Sequence, residues 1–206
     1  MKITIVSGSS RDQSQSLKVS KWLKERLSSE HKISSSEIEL IDLNELSLTL
    51  NPNEFWGGKS ESAKAMAAEY KKLEESDAVI VVTPEWGGGA APALRQFVLM
   101  SGYSLAHKPT LTVGVSSTRT GGIRPIEELK HATKNTRMLI VPEPLVINGV
   151  ESVFGTNEGA AENEEHQAYL TGKADYSITV LLEYAKALKQ VRESGKLNYE
   201  EFAFGM

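Results

Sequence analysis

Three short segments hold most of the side chains in this sequence that could bind or transform a ligand. Ser7-Gly8-Ser9-Ser10-Arg11-Asp12-Gln13-Ser14-Gln15-Ser16 crowds hydroxyls and N–H donors around one guanidinium. Thr83-Pro84-Glu85-Trp86-Gly87-Gly88-Gly89 joins an aromatic ring to three glycines. Glycine backbones take strained angles and let a flat ligand lie directly against peptide groups. Ser116-Ser117-Thr118-Arg119-Thr120-Gly121-Gly122 is a second run of hydroxyls and glycines. Such sets suit the binding of an anion and of a planar polar ligand. Serines alone would also read as a solvated, helix-capping loop; Arg11 in the same turn tilts the first segment towards phosphate.

Groups for proton transfer or covalent catalysis are missing. The chain has no cysteine, which excludes thiol catalysis, thiolate metal sites and disulfides. His31, His107, His131 and His166 are scattered without a metal-ligand spacing. There is no G-x-S-x-G elbow and no G-x-x-x-x-G-K-[ST] loop. A dinucleotide fingerprint would need G-x-G-x-x-G after the first strand, and that turn offers only Gly8. Gly87-Gly88-Gly89 fares no better, because Pro92 stands where the third glycine belongs. Glu85, on a ligand loop, reads as a cap or ion-pair partner before it reads as a general base.

The elements that must position these segments alternate between two hydrophobic periods. Lys2–Val6 is a first strand, and Val19, Trp22, Leu23 and Leu27 mark the helix after it. The first polar segment therefore lies between a strand's end and a helix's start, where free N–H groups and the helix dipole favour an anion. Ile38, Leu40 and Ile41 make a second strand; Ala63, Met66, Ala67, Tyr70 and Leu73 make a second helix. Ala78–Val82 is unbroken and apolar, as a central parallel strand covered on both faces would be, and Pro84 should end it. Pro92 suits the first turn of a helix bearing Leu94, Phe97 and Val98. Thr110–Ser116 is a fourth strand, followed by a helix with Pro125, Ile126 and Leu129. A last strand, Met138–Val141 with Leu145–Ile147, is broken by Pro142 and Pro144. Gly149–Lys173 reads as a polar, acidic loop with a short helical piece, before a long closing helix striped by Ile178, Leu181, Leu182, Ala185 and Leu188.

This alternation predicts an α/β fold: a doubly wound, five-stranded parallel sheet of the flavodoxin-like kind, order 2-1-3-4-5, in three αβα layers. In that order the switch point lies between strands one and three, so the first two ligand segments meet in one crevice. The 206 residues fit one domain over residues 1–206. Hydrophobic content of 40% and charged content of 24% match a soluble globular protein, and no segment suits a membrane span or leader. These features and the lack of cysteine point to the cytoplasm. A net charge of −4 without a basic patch argues against nucleic acid, so any anion must be held by local donors.

Ser7-Gly8-Ser9-Ser10-Arg11 with Ser14 and Ser16, then Thr83-Pro84-Glu85-Trp86-Gly87, then Ser116–Gly122, resemble the NADPH-dependent FMN reductases. That group includes azoreductase, quinone reductase and chromate reductase types, and the resemblance spans about residues 1–150. It implies an FMN cofactor with NADPH or NADH as co-substrate. Ser9, Arg11, Ser14, Gln15 and Ser16 would serve the phosphate end. Pro84, Glu85, Trp86, Gly87, Gly88 and Gly89 would lie along the ring, and Ser116, Ser117, Gly121 and Gly122 would close over its other edge. The family usually has Tyr-Asn where this chain has Trp86-Gly87. The resemblance also explains the absent acid–base set, since a flavin carries hydride chemistry itself. The implied acceptor is a quinone, azo compound, free flavin or metal oxyanion.

Two other readings stay open on the same scaffold: an electron carrier or FMN-binding module without reductase activity, and a non-redox nucleotide or sugar-phosphate binder. Phe55-Trp56 in a long loop and Tyr199, Phe202 and Phe204 in the tail are apolar material without an evident place in one core. They either fold back onto their own subunit or support a homodimer or homotetramer.

Overall fold

A computed structural model describes residues 1–46, 48, 61–156, 159–199 and 201 of the chain. The Phe55–Trp56 pair, Phe202 and Phe204 lie outside these residues. Parallel strands β1 (Ile3–Ser7), β2 (Ile38–Asp42), β3 (Ala78–Trp86) and β5 (Pro109–Val115) stand in the order β2-β1-β3-β5. Beside β5 lie two short strands, β6 (Leu139–Ile140) and β7 (Leu145–Ile147). They are two pieces of one strand position. Thr110 pairs with Ile140 and Val113 with Leu145, so two extra residues bulge out where Pro142 cannot join the ladder. The expected five-place order is therefore the observed one.

Two hydrophobic layers follow from the period-two alternation of buried strands. Ile3, Ile5, Ile80 and Val82 face helices α1 (Gln15–Ser29) and α7 (Glu164–Arg192). Val6, Val79 and Val81 face α2 (Glu61–Glu75) and α3 (Pro92–Met100). Arg26 of α1 pairs with Asp175 of α7 at 2.5 Å, fixing the first layer's two helices to each other. Among the described residues no helix is long and apolar enough to cross a membrane.

Two expectations are corrected. Pro84 does not end β3. It sits where the parallel ladder with β5 runs out, and Glu85 and Trp86 then pair antiparallel with β4 (Gly89–Ala90). A missing N–H is harmless at that changeover. The closing helix starts at Glu164, well before the apolar stripe at Ile178. Ahead of that stripe it buries only Leu170, Ala174 and Ser177, too sparse an apolar set to show the helical period in sequence.

Register places the ligand loops. Ser7 pairs with Val82, and Pro84 with Val115, so β1, β3 and β5 end at nearly one level. At the sheet's opposite edge Lys108, only 5% exposed, donates to the carbonyls of Leu73 and Glu74 at the end of α2. It caps a helix C-terminus, where a cation is favoured. Burial, and secondarily the nearby Arg192, lower its pKa to about 8 from an ordinary 10.5. Below pH 8 both folded and unfolded chains carry the charge, and the folded state bears the desolvation cost. Between about 8 and 10.5 the folded protein sheds the proton while the unfolded chain keeps it, so stability rises with pH. Urea unfolding at pH 7.5 and pH 9.5 should show the native chain gaining stability, and Lys108→Met should abolish most of that gain. Equal pH dependence in the two proteins would contradict this origin.

Candidate functional site

The first loop is pressed onto the sheet. Gly8 N–H donates to Val82 O at 2.8 Å, and a Cβ on Gly8 would lie 2.7 Å from that oxygen. Only glycine lets the chain leave β1 this close to β3. Beyond it the backbone curls, with the Ser9 hydroxyl accepting from Arg11 N–H at 3.2 Å. Ser14 is the N-cap of α1 and accepts from Leu17 N–H at 3.1 Å. The N–H groups of Gln15 and Ser16 then have no acceptor within the helix. No acidic residue occupies the first turn to answer the helix dipole. Among the described residues, buried side-chain oxygens without a partner concentrate here: Ser7 Oγ, Gln15 Oε1 and Ser16 Oγ. A buried orphan hydroxyl is costly unless something completes it.

The second loop is a hairpin turn. Gly87 and Gly88 have φ of +57° and +80°, the two left-handed residues that a tight hairpin with right-handed strand twist requires. Glu128 holds the returning strand by accepting from Ala90 N–H at 2.6 Å. A Cβ on Gly89 would meet that carboxylate at 2.6 Å. In the third loop the Ser116 hydroxyl lies 3.0 Å from that of Thr118 and also accepts from Thr118 N–H. A Cβ on Gly121 would lie 2.2 Å from Ser116 Oγ, so this turn too closes only around glycine. Glu85 joins the two loops, its carboxylate accepting from Gly122 N–H. It is a cap, as the sequence suggested.

These loops surround one cavity of about 500 Å³, within the usual range for small-ligand sites. Ser9, Arg11, Ser14, Gln15 and Ser16 line one side; Pro84, Glu85, Trp86, Ser116 and Ser117 line the rest. Trp86 is 36% exposed at its rim. Gly87, Gly88, Gly89, Gly121 and Gly122 lie outside the lining, where they shape the turns that present its walls.

Sequence reasoning missed Asp12, Gln13, Val115, Val150, Glu151 and Thr156, which also line the cavity. The last three come from the short helix α6 (Val150–Phe154) and the turn after it. Val150 and Val153, three apart and both buried, were the available signal for that helix. The Lys18 ammonium fastens this wall by donating to the carbonyls of Phe154, Gly155 and Thr156 at 3.3, 3.1 and 3.2 Å. Gln15 Nε2 adds a bond to Gly155 O at 3.0 Å.

The family model for NADPH-dependent FMN reductase matches residues 1–151, which include the three ligand loops named from the sequence. The chain belongs to that family. FMN is the cofactor of the NADPH-dependent FMN reductases, and a nicotinamide is their electron donor. Solved structures share the fold. FerB, a flavoenzyme NAD(P)H:acceptor oxidoreductase from Paracoccus denitrificans, superposes with a TM-score of 0.69 at 19% identity, over 89% of this chain and 98% of FerB. The apo form of EMOB, an NADH:FMN oxidoreductase, gives 0.64 at 16% identity, over 85% of this chain and 87% of EMOB. The azoreductase AzrA gives 0.53 at 15% identity, over 92% of this chain and all of its own, 100%.

The donors that line this cleft suit the phosphate of the family's cofactor: N–H groups unpaired within the helix, one guanidinium and an orphan hydroxyl. Ser16→Ala separates binding from folding. Losing a hydrogen bond to a charged phosphate should weaken FMN by about 1.5 kcal/mol, roughly tenfold, in a fluorescence titration. Because that hydroxyl has no partner in the protein, the apo variant should melt no lower than the native chain. A lower melting temperature with unchanged FMN affinity would assign the hydroxyl to the fold instead.

Proposed function

We propose that this protein carries reducing equivalents from NAD(P)H, through FMN held in the cavity, to a small-molecule acceptor such as a quinone, azo compound, free flavin or metal oxyanion. The observation that supports it most is the first loop: an α-helix N-terminus without acidic residues, an arginine, and a buried hydroxyl lacking a partner, all lining one cavity. Arg11 and the hydroxyls of Ser9, Ser14 and Ser16 would hold the phosphate. Pro84, Glu85, Trp86, Ser116 and Ser117 would contact the ring system.

Bound FMN supplies the hydride-accepting and hydride-donating chemistry, so the protein's task is orientation and polarity. Glu85 has its carboxylate on Gly122 N–H, so it acts by fixing the spacing of two walls. Asp12 accepts from the Asn44 amide at 2.8 Å, which turns its charge towards the loop beyond β2. Both carboxylates are thus engaged in hydrogen bonds within the protein. Trp86, at the open rim, offers an apolar face to whatever stacks beside it.

Purified protein titrated with FMN should acquire a bound flavin spectrum, and NADPH or NADH should bleach it without air. Steady nicotinamide oxidation with a quinone and no partner protein distinguishes a reductase from an electron carrier. A protein that takes up no FMN would overturn the proposal. Arg11→Ala should weaken FMN by about 1.5–3 kcal/mol, the scale of a charge-assisted hydrogen bond. Unchanged affinity in that variant would move the phosphate elsewhere.

A further inference from the structure

Beside the main cleft lies a second cavity of about 640 Å³, sharing Ser117 and Glu151 with it. Arg119 and Asn148 line one side, and Glu151, Glu162, Asn163 and His166 line the other. The family match ends at residue 151, so much of this wall is built by sequence the family does not prescribe. The wall is nonetheless well anchored. Glu162 and Asn163 N–H groups both donate to Ser152 O at 2.9 Å, closing the loop onto α6. Lys18 and the edge-to-face contact of Trp22 with Phe154, 5.0 Å between centroids, hold α6 down. On the opposite side Asn148 Nδ2 donates to Arg119 O at 2.6 Å, fixing the third loop.

The charges in this cavity are uncommitted. Among the described residues Arg119, Glu151 and Glu162 form no ion pair. Two carboxylates thus face a space with one guanidinium and the imidazole of His166. Carboxylates accept hydrogen bonds from a ribose diol, which is how acidic residues select an unphosphorylated dinucleotide. A 2′-phosphate would bring up to about two more negative charges into the same space. A guanidinium at the mouth suits a pyrophosphate.

We propose that this second cavity takes the adenosine ribose and pyrophosphate of the nicotinamide donor, and that Glu151 and Glu162 select NADH over NADPH. The inference rests on the reductase reading above and runs against the reductant in the family's description. Glu162 reads the diol and Arg119 the pyrophosphate. The cleft shared through Ser117 and Glu151 lets the donor's nicotinamide end reach the cofactor.

The test uses FMN-loaded protein and two fragments without nicotinamide, ADP-ribose and 2′-phospho-ADP-ribose, in calorimetric titrations. ADP-ribose should bind about tenfold or more tightly than its phosphorylated counterpart, as like-charge juxtaposition implies. Glu162→Lys should invert or erase that preference and raise the kcat/KM ratio of NADPH to NADH by roughly tenfold or more. Arg119→Ala should raise KM for NADH by about tenfold with FMN affinity unchanged. Equal or reversed fragment affinities in the native protein, no fragment binding at millimolar concentration, or a ratio unmoved by Glu162→Lys would each overturn the inference while leaving the reductase reading intact. Protein that binds no FMN, or oxidises neither nicotinamide, overturns that reading and the inference together.

Discussion

The contact of Gly8 with Val82 is the constraint on which the site depends. A 2.8 Å bond from the Gly8 N–H, with no room for a Cβ, brings the first loop down across the end of β3. That holds the start of α1 at the gap where the chain's path reverses, between β1 and β3. Move the loop outward by the width of a methyl group and the unpaired N–H groups of Gln15 and Ser16 no longer border the same space as Pro84 and Trp86. The third loop is set by a similar limit. A Cβ on Gly114 would come within 1.8 Å of Gly122 O, so β5 and the start of α4 (Ile123–Leu129) pack backbone to backbone. Two glycine contacts within the sheet edge therefore define the cleft's width.

Electrostatics at the cleft is local. The chain carries a net charge of −4, which does not draw anions over distance. What favours a phosphate is the absence of acid from the first turn of α1, the guanidinium of Arg11 and the unpartnered Ser16 hydroxyl in the cavity's lining. Such short-range donors fix orientation more than they raise encounter rates. A cofactor that stays bound through many turnovers needs orientation above all, whereas a donor that must leave after each transfer needs weaker, more open contacts. The more exposed residues of the neighbouring cavity offer the second kind.

Much of this was legible in the sequence because it rests on short-range rules. The buried β-branched run at Ala78–Val82, the helical stripes and the polar segments at strand ends placed the sheet order and ten of the cavity's lining residues. The glycines lie outside the lining for a physical reason. Gly87 and Gly88 are equally suited to contact a ligand or to supply two positive φ angles, and composition alone does not separate the uses. Glu85 was read as a cap, yet its partner Gly122 is 37 residues away and could not be named. Thr156 and Glu151 were missed because their wall is joined to the site by Lys18, whose link to residues 136 to 138 positions away leaves no local pattern. The early start of α7 was hidden by Ala174 and Ser177, small residues that bury without a hydrophobic signal.

Hydrogen–deuterium exchange of the apo protein with and without FMN tests the convergence of the three loops most directly, since it reports location as well as binding. Added FMN should slow exchange at the amides of residues 11–16, at Trp86 and at Ser117. The far edge of the sheet around Lys108 should be unaffected. Protection confined to the glycine turn at Gly87–Gly89, or absent from the start of α1, would contradict a cofactor seated on the helix N-terminus beside Gly8.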